Sequence, residues 1–185
     1  MSTAEEKIKK AFLRLYEEKP IEKISVKLLT ETAGVNRGTF YDHYLDIYDL
    51  RDQTEAEFID NATDMVRHLA AGIVDDDMSY VIEHFDDFYA ANRTMLDIYL
   101  IKRPSARLQN SLKALAKSNV CRFLGLDYDN LNERQQLIME YIAGGQISIV
   151  SCWFGQNATH DISGFTSLIR SINTRGALTC LLAEK

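Results

Sequence analysis

The sequence predicts an all-α fold, on three observations. Apolar residues recur at spacings of three and four, as in Ile8, Ala11, Phe12, Leu15 and Tyr16, the period of a helix with one buried face. No stretch alternates apolar and polar residues for long enough to make a strand. The chain has 2 prolines in 185 residues and is 46% apolar, so little interrupts long helices and a core can be filled. The expected architecture is a three-helix N-terminal head, residues 1–50, joined by a long helix to a helical bundle, residues 51–185, with about nine helices in all.

The first helix covers residues 4–18 and stops before Pro20, with Ile21 and Ile24 under the next turn. Ser25 suits the N-cap of the second, whose apolar face is Val26, Leu29 and Ala33. Gly34, free to take positive φ, ends it. Val35 plugs the turn, Asn36 caps a third helix over residues 37–43, and Phe40 and Tyr44 point inward together. Asp46 caps a fourth helix running from Ile47 to Gly72, with Phe58, Ile59, Ala62, Met65, Val66 and Leu69 as its stripe. The acidic run Asp75, Asp76 and Asp77 suits the start of a fifth, where the dipole favours negative charge. Met78, Val81, Ile82, Phe85, Phe88 and Tyr89 line that helix, and a short sixth is expected over residues 92–101. Pro104 opens a seventh, carrying Leu108, Leu112, Leu115, Val120, Phe123 and Leu124. After a loop at 125–130, Asn132 and Gln135 form a capping box for an eighth helix over residues 132–156. It is the most apolar of the chain, and a close helix approach is one explanation of Gly144-Gly145 in its middle. Asp161 or Ser163 caps a ninth, with Phe165, Leu168, Ile169 and Ile172, ending at Gly176.

The second and third helices, joined by a short Gly-containing turn, form the pattern of a DNA-reading helix-turn-helix. Residues 33–44 read Ala-Gly-Val-Asn-Arg-Gly-Thr-Phe-Tyr-Asp-His-Tyr. This run resembles the DNA-binding domain of the tetracycline-repressor (TetR) family of bacterial regulators, whose pattern is roughly Ala-Gly-Val-Ser-x-Gly-Thr-Phe-Tyr-x-His-Phe. Asn36 stands for the Ser and Tyr44 for the last Phe. The motif match covers about residues 5–52; beyond it, length and helical character agree with the family.

The resemblance implies a homodimeric transcriptional regulator that sets its third helix into the major groove of a palindromic duplex operator. By motif position, Arg37 and Thr39 are candidates for base edges, Gly38 for close backbone approach, and Tyr41 and His43 for phosphates. Lys10, Ser25, Lys27 and Asn36 complete the candidate DNA-binding set. Most of the family also carries an inducer pocket in the bundle. That makes Phe58, Phe85, Tyr89, Tyr99, Phe123 and Tyr141 candidate lining for a small apolar or amphipathic ligand. Dimer contacts are expected on the last two long helices, at Gly144, Gly145, Ile149, Trp153, Phe165 and Ile169. In the family, a lysine near the start of the fourth helix often bonds a phosphate. Ile47 stands there instead, with Tyr48 beside it.

Charge does not advertise nucleic acid. The net charge is −6 and the pI about 5.2. Residues 1–50 hold eight basic groups against nine acidic ones. A positive face must come from segregation, with Glu17, Glu18 and Glu22 turned away from it and Lys7, Lys10 and Arg14 sharing another face. A TetR-like adaptor or coactivator that acts through a protein partner, with weak or lost DNA binding, is the alternative reading. An enzyme is not expected: no P-loop, GxSxG or HExxH occurs. No cofactor or metal is expected either. The acidic run 75–77 lacks the spacing of a calcium loop, and Cys121, Cys152 and Cys180 lack that of a metal site. A small buried thiol is the default for each cysteine. His68 and His160 are expected at the surface, His84 in the core or at its rim, and Arg103 and Arg107 in solvent. No signal peptide is present. The longest apolar run, around 147–154, is too short to cross a bilayer, so the expected location is the cytoplasm.

Overall fold

The computed structural model describes residues 3–156 and 161–177. Among them are eight α-helices and no strand. Helix α1, Ala4–Glu18, opens with a reciprocal capping box. The Glu6 amide donates to Thr3 Oγ1 at 3.2 Å, and the Thr3 amide donates to the Glu6 carboxylate at 3.0 Å. These two bonds satisfy amides that the first turn of a helix leaves free. Helix α2, Val26–Ala33, is capped by Ser25, whose Oγ accepts from the Leu28 amide. It ends at Gly34, at φ 65°, a conformation in which a Cβ would be strained. Helix α3, Arg37–Tyr41, is capped by Asn36. The three pack through Ile8, Phe12, Leu29 and Phe40, all of them fully buried.

Helix α4, Ile47–Asp75, has 29 residues and is about 43 Å long at 1.5 Å per residue. It runs three residues past the expected stop at Gly72. Gly72 is there for space: a Cβ on it would sit 2.6 Å from the Asp77 carbonyl oxygen and 2.8 Å from Met78 Sδ. The chain turns at Asp76, in the left-handed region at φ 62°. The acidic run therefore ends one helix and starts the next. Only Asp77 serves the following N-terminus, accepting from the Ser79 amide and hydroxyl at 2.9 and 2.5 Å. Those two bonds hold its carboxyl below the usual range.

The expected fifth and sixth helices are one. Helix α5, Ser79–Leu96, passes through Asn92 because the Asn92 side chain donates to the Phe88 carbonyl at 2.9 Å and so is satisfied within the helix. It flows into a π-helical turn, Asp97–Lys102. Helices α6, Ala106–Leu124, α7, Glu133–Gly155, and α8, Ile162–Ile172, complete the set, capped by Ser105, Asn132 and Asp161. A second π-helical turn, Asn173–Ala177, follows α8.

One core runs from the head into the bundle. Phe12 stacks on Tyr16, Tyr16 meets Tyr99 of the π turn, and Tyr99 meets Phe58 of α4. A second core lies at the far end, around Ile73, Val120, Met139 and Ile169. Of the two arginines expected in solvent, Arg107 is exposed and Arg103 half-buried, and both also tie elements together. Arg103 Nε donates to the Tyr16 carbonyl at 3.1 Å, and Arg107 pairs with Asp52 and with Glu55. Buried Glu55 also accepts from the Ser105 hydroxyl at 3.0 Å. Helix α7 is, by length and composition, long and apolar enough to cross a membrane, although its longest uninterrupted apolar run is short. Here it packs on α6, with Glu140 paired to Lys117.

Cys121 is buried, but Cys152 is exposed. His68 is half-buried, stacked on Tyr80, which also stacks on His84. His160 and Cys180 lie outside the described residues.

Candidate nucleic-acid interface and bundle cavity

The helix-turn-helix forms as its spacing requires. Phe40 and Tyr44 turn inward, their rings 5.6 Å apart, and leave Arg37, Tyr41 and His43 exposed. Arg37 and Tyr41, four apart, share one face of α3. Asn36 Oδ1 accepts from the Thr39 amide at 2.8 Å and the Thr39 hydroxyl at 3.1 Å. Thr39 is half-buried, and its proton is already given to Asn36. It can offer a base only a methyl group and an acceptor. Gly38 is exposed, and a Cβ on it would come within 3.1 Å of the capping oxygen of Asn36. Tyr44 differs from the family pattern by one hydroxyl. That hydroxyl is buried without a hydrogen-bond partner among the described residues, and burial pushes its pKa up to about 12.

The structure accounts for several of the head's carboxylates. Glu5 lies 2.9 Å from the Lys9 ammonium, which also meets Glu57 of α4 at 2.8 Å. The hydrogen bond from Lys9 holds the Glu5 carboxyl below its usual range. Burial alone would lower the Lys9 pKa, but the two carboxylates raise it. Glu17 pairs with Lys102 of the π turn at 2.5 Å. Glu6 caps α1. Asp46 accepts from the Asp49 amide, and Asp49 from the Leu45 amide, at the start of α4. Lys10, Lys27 and Arg37 remain exposed. Lys27 has only a loose contact to Glu31, 3.9 Å away with both side chains mostly in water, which holds it weakly. Ser25 is committed to its capping bond. Ile47 is buried, and Leu45 beside it is 83% exposed. Tyr48 is half-exposed, with the Arg51 guanidinium 5.4 Å from its ring centre.

A cavity of about 130 Å³ lies between α4, α5, α6, α7 and α8. Of the residues expected to line it, Phe58 and Phe85 do. Tyr99 instead faces the head, bonded to the Thr54 hydroxyl at 2.5 Å. Tyr141 points outward and is 68% exposed. Phe123 belongs to the far core, and Tyr89 packs behind the wall on Phe85 and Phe154. The wall is instead completed by side chains such as Met65, Leu96, Leu100, Val150 and Trp153. Gln146 is polar and lies within this apolar lining. Its amide is the longer of the two polar side chains, with Ser148, in the run 142–150 of α7, a weak sequence signal.

The expected dimer residues divide. Trp153 and Phe165 stack on each other at 4.2 Å and line the cavity, and Ile169 is buried. Ile149 is half-buried. These face inward because they close the bundle against α4 and α5. Among the described residues Gly144 makes only ordinary contact with Lys113 of α6, and nothing lies within 4 Å of where a Gly145 Cβ would be. Within one chain, close helix approach is therefore not what the glycines serve. The outward face of α7 and α8 carries Leu137, Tyr141, Leu168 and Ile172.

No family model matches the chain, and no curated protein matches it. Two solved structures share its fold. The dihydroxyacetone kinase operon activator DhaS superposes with a TM-score of 0.51 at 15% identity, over 98% of this chain and 95% of that one. The fatty acid degradation regulator FadR from Bacillus halodurans superposes with a TM-score of 0.55 at 16% identity, over 93% of this chain and 95% of that one. The likeness extends over nearly the whole length of each, so the head and the bundle occur together in all three folds.

Proposed function

We propose that the chain is a DNA-binding transcriptional regulator of the TetR type. It acts in the cytoplasm as a homodimer on a palindromic duplex operator, and a small apolar or amphipathic ligand in the bundle releases it. Residues 1–50 read the DNA, and residues 51–185 bind the ligand and the second subunit. The carrying observation is α3, held on a buried Phe40, with Arg37 and Tyr41 exposed on it and His43 exposed just past its end. The two structural neighbours, an operon activator and a degradation regulator by name, support the reading. The cavity, large enough for more than a few waters, supports the ligand.

Arg37 can fork onto a guanine edge, whereas Tyr41 reaches only phosphate. Arg37→Ala is expected to cost about 1–3 kcal/mol of operator affinity and to relax specificity at one base pair per half-site. Tyr41→Phe should weaken all sequences alike. Fluorescence anisotropy against operator and random duplex at low salt measures both. If neither substitution changes binding, α3 is not the reading element.

A second reading, an adaptor working through a protein partner, is favoured by one observation. Where a phosphate-binding lysine is expected, the chain buries Ile47 and exposes Leu45. The same titration decides between them, because an adaptor would show no saturable binding to any duplex.

The dimer is expected to form through the exposed apolar face of α7 and α8, with two-fold symmetry. Tyr141→Asp places a charge on that face and should yield a monomer in light scattering at micromolar concentration. A wild-type chain that is itself monomeric there removes the idea.

A further inference from the structure

We infer that the cavity selects a neutral ligand with an apolar body about the size of one aromatic ring and a single hydrogen-bond donor, received by the side-chain oxygen of Gln146. The inference rests on the reading of the cavity as a ligand site and names the chemistry of what enters.

Size comes first. At about 130 Å³ the cavity is close to an engineered apolar cavity of about 150 Å³ that holds benzene. Charge comes second. Among the described residues no Lys, Arg, His, Asp or Glu lines the cavity, and a charge left there would be stripped of water with no partner among them. A carboxylate or ammonium ligand is therefore rejected.

Polarity comes third, and here the orientation of one amide decides. The backbone carbonyl of Ile169 can only accept. Asn173, buried in the π turn after α8, meets that carbonyl at 2.8 Å and must present its Nδ2. Its Oδ1 is then the atom turned to Gln146, so Gln146 must present Nε2, at 3.3 Å. The relay from Ile169 through Asn173 thus fixes which end of the Gln146 amide is spent. Oε1 has no partner among the described residues, and Gln146 belongs to the cavity lining, so we take this oxygen as the acceptor that a ligand there meets. A phenolic or alcoholic O–H satisfies it, whereas a hydrocarbon or an ether leaves it unpaired. The amide keeps one further N–H, so preference for an acceptor ligand is the competing outcome.

Calorimetric titration of the full chain with four probes of matched shape tests this: ethylbenzene, 4-ethylanisole, 4-ethylphenol and 4-ethylbenzoate. The expected order places 4-ethylphenol roughly three- to tenfold tighter than ethylbenzene and 4-ethylanisole, the range of one net neutral hydrogen bond, with 4-ethylbenzoate not binding. Gln146→Met, similar in shape and without the oxygen, should bring the phenol level with ethylbenzene while leaving ethylbenzene bound. If ethylbenzene binds and the phenol binds no tighter, the donor assignment is overturned and the cavity still stands as a ligand site. The same holds if the ether matches the phenol. Binding of the benzoate at the phenol's affinity overturns the requirement for neutrality. If none of the four binds, the ligand-site reading fails and takes this inference with it.

Discussion

Phe40→Ala is expected to destabilise the protein by about 3–5 kcal/mol, the cost of emptying a fully buried phenylalanine site, and to abolish specific DNA binding. Phe40 has no exposed surface, and its ring meets those of Tyr41 at 5.3 Å and Tyr44 at 5.6 Å. Helix α3 has five residues, far below the length at which a helix holds itself in water. Burial of this one ring is what keeps it wound. The contrast with Arg37 is diagnostic. Arg37 is exposed, so its removal should cost affinity with little change in stability, whereas Phe40→Ala loses affinity because the reading surface melts. Urea denaturation alongside anisotropy separates the two. A Phe40→Ala protein that loses less than about 1 kcal/mol and still binds DNA would mean that α3 is held by something else.

Gly72→Leu is expected to cost roughly 3 kcal/mol or more, at or above the upper end of ordinary overpacking. In most helix interiors, replacing glycine gains up to about 1 kcal/mol of propensity. Here the first added carbon meets the Asp77 carbonyl oxygen at 2.6 Å. That atom is backbone, and the turn that carries it already has Asp76 in the left-handed region, so it has little freedom to give way. Even Gly72→Ala should be net destabilising, because relief requires moving the α4–α5 turn. Leucine adds three more carbons in the same place. A thermal scan with a Gly145→Ala control, where space is open, checks the account. If Gly72→Ala raises the midpoint as the control does, the turn is more compliant than its geometry implies.

Most helix starts were legible, because each rests on a local hydrogen bond between residues three apart. Ser25, Asn36, Asp46, Asn132 with Gln135, and Asp161 all cap as the sequence suggests. Stops were less legible. Gly72 and Asn92 read as breaks, but both lie inside helices, one because a neighbouring turn fills the space of its side chain and the other because its amide bonds back to Phe88. These facts belong to tertiary packing and to rotamer choice. Which face of α3 is exposed was legible, since Phe40 and Tyr44 leave only one way to turn it. The cavity was legible by neighbourhood but not by residue. In helices apolar on more than one side, such as α7, spacing does not say which apolar residue faces inward. Tyr141 and Trp153 are both aromatic, yet one is exposed and the other lines the wall.

The π turn Asp97–Lys102 touches both halves of the proposed mechanism. Leu100 is part of the cavity wall, and the adjacent Tyr99 and Lys102 reach Tyr16 and Glu17 on α1. A rearrangement of this segment that admits a ligand would therefore also move the helix against which the helix-turn-helix pair is packed. Linkage makes such a connection symmetric. Whatever factor a cavity ligand takes from operator affinity, the operator must take the same factor from the ligand's affinity. Ligand titrated onto the protein–DNA complex would bind weaker than onto protein alone by that shared factor, a relation independent of the ligand's identity.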